Sequence, residues 1–515
     1  MSGAPGVENS VVRFGSRRRV ALAPIAAAVL VGLSLSLSVA PRGHAASSTA
    51  NVPLAGDLDP SFGSGGEVSH SLGSGEAPDV SEIAVQPDGK IVVAAVSSPG
   101  DHGLLLARYL PDGSPDPSFG DGGYVETHNG VWAFASAVAL QPDGKIVVAG
   151  VSYQGGDNVL SEFTIARYDP NGSLDTGFGT GGITNTPIPE SGVYWQAGAH
   201  QLTLLPSGEI LVAGGASWDE DTEAASVLAR YKPDGSLDPT FGAGGILQPS
   251  GAEAYAIAVQ PDGKILGVRP GPGIALVRYN PDGSLDPTFG TAGEVKTSRK
   301  LRNVFGLTFQ RGKIVALGST RISHSKYALV LTRLHASGRL DTAFGKGGAA
   351  EVRRITFDPS ALLTQSDGKI LLAATTGYDD HDQGHGVVAR LLPSGRLDTS
   401  FGRGGMVSFD DQLTALALQG DGKVLVGGGH GNAWTLHRLV GGNNCVVPNL
   451  AGKTVRQATN TLKSANCSRG HVSTRPSTTI KRGRVISSSP RHGTRRPDGT
   501  RIDLLVSRGR PSYRS

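Results

Sequence analysis

Seven copies of one unit leave this chain few folds to choose from. Each copy holds an alternating apolar run, a turn of the Pro-Asp-Gly-Lys type, a second apolar run and an Arg-Tyr or Arg-Leu pair. Leu-Asp-x-x-Phe-Gly follows, with Pro115-Asp116 in one copy. The Phe falls at Phe62, Phe119, Phe178, Phe241, Phe289, Phe344 and Phe401. A period of roughly 55–60 residues means one supersecondary unit that buries its apolar face only against its neighbours.

The second copy shows what the unit is. Ser136–Gln141 alternates, Pro142-Asp143-Gly144 is a turn, and Lys145–Gly150 is a second apolar run, so the pair predicts a hairpin. Phe163–Tyr168 reads as a third strand, and Gly182-Ile183-Thr184 opens a fourth. Four short strands without helical periodicity predict a four-stranded antiparallel blade, with the surplus length in loops. Seven blades predict an all-β fold, a seven-bladed β-propeller. The ends of the repeat region argue for closure. Leu58–Val68 supplies only a corner and an outermost strand, whereas Leu413–Leu439 supplies three strands and stops where its corner is due. The strand around Gly66–Val68 is expected beside Thr435–Leu439, which leaves no sheet edge bare.

Six arginines, Arg108, Arg167, Arg230, Arg278, Arg333 and Arg390, each precede an Asp by eight residues: Asp116, Asp175, Asp238, Asp286, Asp341 and Asp398. Arg438 lacks such an Asp and Asp59 lacks such an Arg, so a closed ring would let these two meet. One reading is a ring of calcium ligands. The reading favoured here is structural: the Asp caps its own turn and pairs with the Arg, while the Phe fills the gap between blades. Within the first turn only Gly persists across copies, as Gln310-Arg311-Gly312-Lys313 and Pro206-Ser207-Gly208-Glu209 show, which is a demand of backbone geometry.

The ends of the chain differ from its middle. Arg17-Arg18-Arg19, an uncharged stretch over Val20–Ala40 and small residues at Gly43 and Ala45 read as an export signal over residues 1–46. Ser16-Arg17-Arg18 suggests a twin-arginine route, and the apolar stretch is long enough for an uncleaved anchor. The repeats fill residues 47–441, a further small domain residues 445–509, and a disordered tail is expected over 510–515. Cys445 and Cys467, the two cysteines of the chain, flank one segment of that small domain, which favours a disulfide in an exported protein over a two-Cys zinc site. Residues 446–515 hold 15 Lys/Arg against 2 Asp/Glu, and residues 1–46 hold 5 against 1. With a total of +4, residues 47–445 carry −13. In an exported protein a basic tail points to anionic envelope polymers or lipid head groups. Nucleic acid is not expected, because Tyr513 is the tail's one aromatic residue for stacking.

The elements Gln-Pro-Asp-Gly-Lys-Ile-Val-Val-Ala, Ala-Arg-Tyr and Leu-Asp-x-x-Phe-Gly-x-Gly-Gly resemble the bacterial delta-60 repeat family over about residues 54–440. That resemblance implies an exported β-propeller and brings no catalytic residues to carry over. Val447-Pro448-Asn449-Leu450, Gly452, Val455, Ala458, Leu462, Gly483, Val485-Ile486, Pro490, Gly499 and Leu504–Gly509 resemble a PASTA domain, a small α+β module of extracellular regions. Apolar or small residues at Val455, Ala458 and Leu462 predict a helix over Thr454–Ala465, with strands over Arg484–Ser488 and Arg501–Ser507. The layout puts Cys445 before the first strand and Cys467 at the helix end, so that a disulfide staples helix to strand. The PASTA resemblance implies binding of cell-wall muropeptides, or spacing and dimerising of extracellular regions.

The loops between second and third strands and between blades vary and share one face of the disc. Variable loops on a rigid scaffold are where binding concentrates. Trp132, Tyr194, Trp195 and Trp218 fall there, with Asp219–Asp221 and Glu223; they either stack on a sugar or peptide or cap the ring's core. Asp380, His381, Asp382 and His385 are metal candidates, the alternative being a solvated polar loop. No motif of a nucleophile elbow, zinc protease or phosphate loop occurs. No cofactor is expected. The leading expectation is a monomeric, exported binding or scaffold protein attached through its PASTA module, its propeller facing an unknown protein or glycan. The alternatives are a secreted hydrolase or lyase acting on a wall or polysaccharide substrate near the propeller axis, and an architectural surface protein without a specific ligand. Carboxylates converging at the mouth of the channel would favour the enzyme.

Overall fold

The computed structural model describes residues 53–510 apart from 72–78, 97–102, 131, 155–159, 189–195, 218–224, 249–255, 270–274, 297–302, 324–325, 353–358, 379–383, 431–432, 443 and 498–499. The segment expected to be an export signal, residues 1–46, and the tail beyond residue 510 lie outside the described residues. Seven four-stranded antiparallel sheets are present. Blade 1 comprises Val80–Val85, Ile91–Val96, Leu104–Tyr109 and Tyr124–Thr127, and blades 2 to 6 repeat that order. Blade 7 takes Gln412–Leu418, Val424–His430 and Ala433–Leu439 from the end of the repeat region and its outermost strand, Glu67–Ser71, from the beginning. The closing register runs from Glu67 opposite His437 to Ser71 opposite Ala433. The seven innermost strands contact one another in succession, and Gln412–Leu418 contacts Val80–Val85, so the ring is closed.

The alternation explains the packing. Side chains on the two faces of each blade enter two different inter-blade cores. Phe119, Val92 and Leu106 of blade 1 pack with Ala135, Val148 and Tyr168 of blade 2. Phe62, from the start of the chain, packs with Leu425 and Trp434 of blade 7 and with Val93 and Tyr109 of blade 1. All seven repeat Phe side chains are fully buried, one in each inter-blade core. In six blades a β-bulge interrupts the first strand pair, for example between Val80 and Glu82, and adds the twist that a radial sheet needs. Strands in blade 2 are longer than the sequence suggested: Trp132–Leu140, Ile146–Gln154 and Leu160–Tyr168 extend toward the loop side. Part of the surplus repeat length is therefore hairpin. Its polar positions bond across the ladder, as Thr164 Oγ1 does to Ser152 Oγ at 2.6 Å.

The two ends of the ring share one turn. Val440 N–H donates to Asp57 O and Gly56 N–H to Val440 O, each at 2.8 Å. Gly56 has φ +87°, matching Gly113 at +91° in the uninterrupted turn of blade 1. Gly441 passes so close to the neighbouring turn that an added Cβ would stand 1.7 Å from Gly422 O.

The C-terminal unit has one helix, Val455–Ser464, two strand pairs around Arg501–Ser507, and a short pair formed by Asn444–Val446 and Arg495–Pro497. Thr454 caps the helix and forms a capping box with Gln457. Ala458 and Leu462 face a core of Val447, Leu450, Ile502, Leu504 and Val506. Cys445 and Cys467 form a disulfide. Cys445 lies within the first strand rather than before it, and Cys467 follows the helix by two residues beyond Ala465, so the bond ties that strand to the start of the next.

Two outcomes follow from these contacts. Gly441→Ala is expected to lower stability by about 1–3 kcal/mol, because backbone must move to admit the methyl group; equilibrium urea unfolding measures it. Replacing both Cys445 and Cys467 by Ser is expected to cost the C-terminal unit about 3 kcal/mol for the loop released, read from its melting in the full-length oxidised protein.

Candidate functional site

The repeated corner is polar, and its geometry is structural. In blade 1, Arg108 Nε donates to Asp116 Oδ2 at 2.7 Å and Nη2 to Ser118 Oγ at 3.1 Å, while Nη1 reaches Pro170 O in blade 2. Asp116 Oδ1 accepts from the Ser118 N–H at 3.0 Å, which closes the turn. The guanidinium lies over Phe119, 4.5 Å from the ring centroid. Every blade repeats the stack of Arg on Phe. Arg438 and Asp59 meet at 2.9 Å across the closure, and Arg438 reaches Pro111 O of blade 1. Lysines from the first turn add a second cation: Lys90, Lys145, Lys264, Lys313 and Lys423 lie 2.6–3.0 Å from their corner carboxylates. Lys145 and Lys313 are the leading influence on Asp175 and Asp341, which are held at about 2 against the opposing effect of burial. For Asp59 burial is the largest influence and raises the pKa, but Ser61, Lys423 and Arg438 together bring it to about 2. These carboxylates are spent on protein donors. Among the described residues no group of three or more His, Cys, Asp or Glu is placed to hold a metal ion.

The axis is lined by the innermost strands. Among their described residues the titratable groups are Glu82 and His200. Glu82 takes the place that Ala137, Ala256, Gly306, Ala361 and Ala415 hold in other blades, and Gln201 holds it in blade 3. Both long side chains do the same work. Glu82 Oε2 accepts the Val138 N–H at 2.8 Å and Gln201 Oε1 accepts the Ile257 N–H at 2.7 Å, each clamping the next blade. Burial pushes the Glu82 carboxyl up to about 7, and the Val138 N–H offsets only part of that rise. Burial lowers the His200 imidazole.

Blade 7 carries a second polar group that sequence reasoning missed. Asp411, between blades 6 and 7, accepts from Thr435 Oγ1 at 2.8 Å and pairs with His437 Nε2. His437 Nδ1 lies 3.8 Å from Glu67 Oε2 on the closing strand. His70, also on that strand, stacks between Tyr124 and Trp434 at 4.4 and 4.6 Å. Departure from the repeat was the available signal, since His437 stands where Arg-preceding positions elsewhere hold Ala, Val or Thr.

The proposed binding face is only partly in view. Tyr194, Trp195, Trp218, Asp219–Asp221, Glu223, Asp380, His381 and Asp382 lie outside the described residues, and Trp132 opens the first strand of blade 2. His385 is exposed, with Nδ1 3.8 Å from Asp410 Oδ1. No helix among the described residues is long and apolar enough to cross a membrane.

Two family models agree with this architecture. A domain of unknown function described as a beta-propeller, DUF5122, matches residues 86–119, 141–178, 205–241, 260–289 and 365–401. The PASTA domain matches residues 446–508. Among solved structures, a glucose dehydrogenase is 14% identical, covering 73% of this chain and 100% of its own, with a TM-score of 0.36. The PQQ-bound aldose sugar dehydrogenase of Streptomyces coelicolor is 13% identical over 72% and 98%, TM-score 0.33. A gluconolactonase of Xanthomonas campestris is 13% identical over 78% and 99%, TM-score 0.32. At these values the likenesses carry no argument about chemistry.

The Glu82 clamp gives a test of the axis. A carboxyl raised from 4.5 to about 7 on folding is protonated more fully in the folded chain between those values. Its contribution is therefore greatest below pH 4.5, declines as pH rises to 7 and is flat above. Glu82→Gln, which copies Gln201, is expected to remove that decline, leaving the variant more stable than the parent by about 3 kcal/mol at pH 8 relative to their difference at pH 4.5. Urea unfolding of both proteins across this range measures it.

Proposed function

We propose that this chain, a DUF5122 β-propeller with a C-terminal PASTA domain, is an exported binding or scaffold protein. Its PASTA unit attaches to the cell envelope and its propeller presents the hairpin-loop face to a protein or glycan. The observation that carries the attachment is the charge of the C-terminal unit. Arg469, Arg475, Lys481, Arg482, Arg491 and Arg508 are exposed, and Asp503 is the one carboxylate among the described residues of 446–510. Such a surface attracts anionic wall polymers through a field that salt screens within ~8 Å at physiological strength. The disulfide accords with an oxidising compartment outside the cytoplasm. The corner carboxylates are bonded to Arg and Lys, and Glu82 is held by a backbone N–H. These commitments favour a binding role over the hydrolase or lyase alternative, which needs carboxylates free to act on substrate.

Sedimentation with purified envelopes tests the attachment. The full chain is expected in the pellet at low salt and in the supernatant at high salt, and a chain ending at Gly442 is expected to stay largely in the supernatant at both. A full chain that remains in the supernatant at low salt would replace this reading with one in which the basic unit serves the acidic disc itself.

A further inference from the structure

Within each blade, the turns joining first to second strands and third to fourth strands lie on one face of the disc. The hairpin loops between second and third strands, and the connections between blades, lie on the other. In blade 7 the third-to-fourth turn is divided between the two ends of the propeller. Val440 bonds to Asp57 O and receives Gly56 N–H as Leu110 bonds to Ser114 O and receives Gly113 N–H in blade 1. The replacement also extends toward the preceding blade. Arg108 and the Gly120 N–H take Pro170 O and Asn171 O from one continuous turn. In blade 6, Arg390 Nη1 takes Gly442 O and the Gly402 N–H takes Ala55 O at 3.1 Å. The chain thus enters the ring at Leu54 and leaves it at Gly442 at one place, on the short-turn face.

The geometry points to an oriented tether: attachment through the C-terminal unit holds the disc by its short-turn face and turns the hairpin-loop face away from the envelope, toward a macromolecular partner arriving from outside. This rests on the envelope attachment proposed above. The reach of the linker supports it. Gly442 is bonded into the ring and Cys445 is buried in the C-terminal core, so Asn443 and Asn444 alone join them. Three residue steps span at most ~10 Å, whereas blade strands of six to nine residues span ~20–30 Å. The PASTA unit cannot swing round to the opposite face on such a linker. Much of the short-turn face is also committed to its own turns and to the next blade. Asp112 Oδ1 accepts from Ser114, Asp234 from Ser236 and Asp282 from Ser284, and the corner arginines reach the following blade.

Labelling of single cysteines tests the orientation. Both native cysteines are in the disulfide, so an introduced thiol is unique. Gly420→Cys and Pro261→Cys place exposed thiols on short turns of blades 7 and 4, and Asp410→Cys places one on the opposite face, where Asp410 is 94% exposed. Each full-length variant is reacted with a bulky polymer-linked maleimide, once bound to sedimented envelopes and once released in solution. Two short-turn variants guard against one that fails to fold. Both are expected to react at least several-fold more slowly when bound, and Asp410→Cys at an unchanged rate. Equal slowing at all three sites, or slowing confined to Asp410→Cys, would overturn the orientation while leaving attachment intact. Failure to sediment at low salt would overturn attachment, and the orientation with it.

Discussion

A guanidinium that belongs to two blades at once is the interaction on which the ring depends. Each corner Arg is neutralised by the Asp of its own blade, rests on the Phe of its own blade, and sends Nη1 to the next. The cation would be costly to bury alone, and removing one partner of such a pair costs about 3–5 kcal/mol. The same three residues therefore join two requirements. The Asp must close its turn to face the Arg, and the next blade must present a carbonyl to complete it. An open row of blades would leave the last Arg without a carbonyl. The structure avoids this by passing Arg438 to Pro111 and Arg390 to Gly442.

Blade 3 shows how the parts support one another. Glu209 stands where six other blades have Lys, and Leu205 where they have Gln. Arg230 keeps its Phe and its reach to Pro281, but it meets Asp238 through Nη2 at 2.8 Å and its buried Nε lacks a partner. In blade 5, by contrast, Gln310 accepts from Arg333 and donates to Gly368 O, and Lys313 reaches Asp341 at 2.7 Å. In blade 5 the Gln thus holds the Arg and the Lys holds its Asp. In blade 3, which has neither, the inter-blade bond to Pro281 survives while the Arg–Asp pairing moves from Nε to Nη2.

Much of this was legible in sequence because the repeat is periodic and periodicity is what chain geometry imposes. Blade number, the split of blade 7 and the helix after Thr454 all follow from spacing. The meeting of Arg438 with Asp59 followed from one unmatched residue at each end of the ring. The sequence could not show that the broken turn is rebuilt from Leu54–Asp57 and Val440–Gly442, because that equivalence lies in hydrogen bonds between segments with little similarity. Nor did it reveal Glu82 and Gln201 as clamps. A Glu on a short apolar strand is indistinguishable from a solvated one until the next blade's backbone is seen beside it. Of the aromatic candidates assigned to loops, Trp132 instead opens a strand, because the blade 2 hairpin runs on past the apolar alternation that marked its ends, and the other three lie outside the described residues.

Identity between copies records what the ring requires, and difference between copies is where anything further must be written. Beside the first turn of blade 3, differences among described residues gather in two further places. His70, Trp434, His437 and Asp411 gather where the chain is interrupted. Stacking there, a Trp434-to-Tyr109 hydrogen bond of 2.9 Å and the Asp411–His437 pair add bonding where no covalent turn joins the strands. Glu82, His200 and Gln201 gather at the axis, and two of them clamp adjacent blades. Both sets serve closure. With the corners, the break and the clamps all committed to holding the ring shut, the freedom to recognise a partner is left to the hairpin-loop face and to the basic surface of the C-terminal unit.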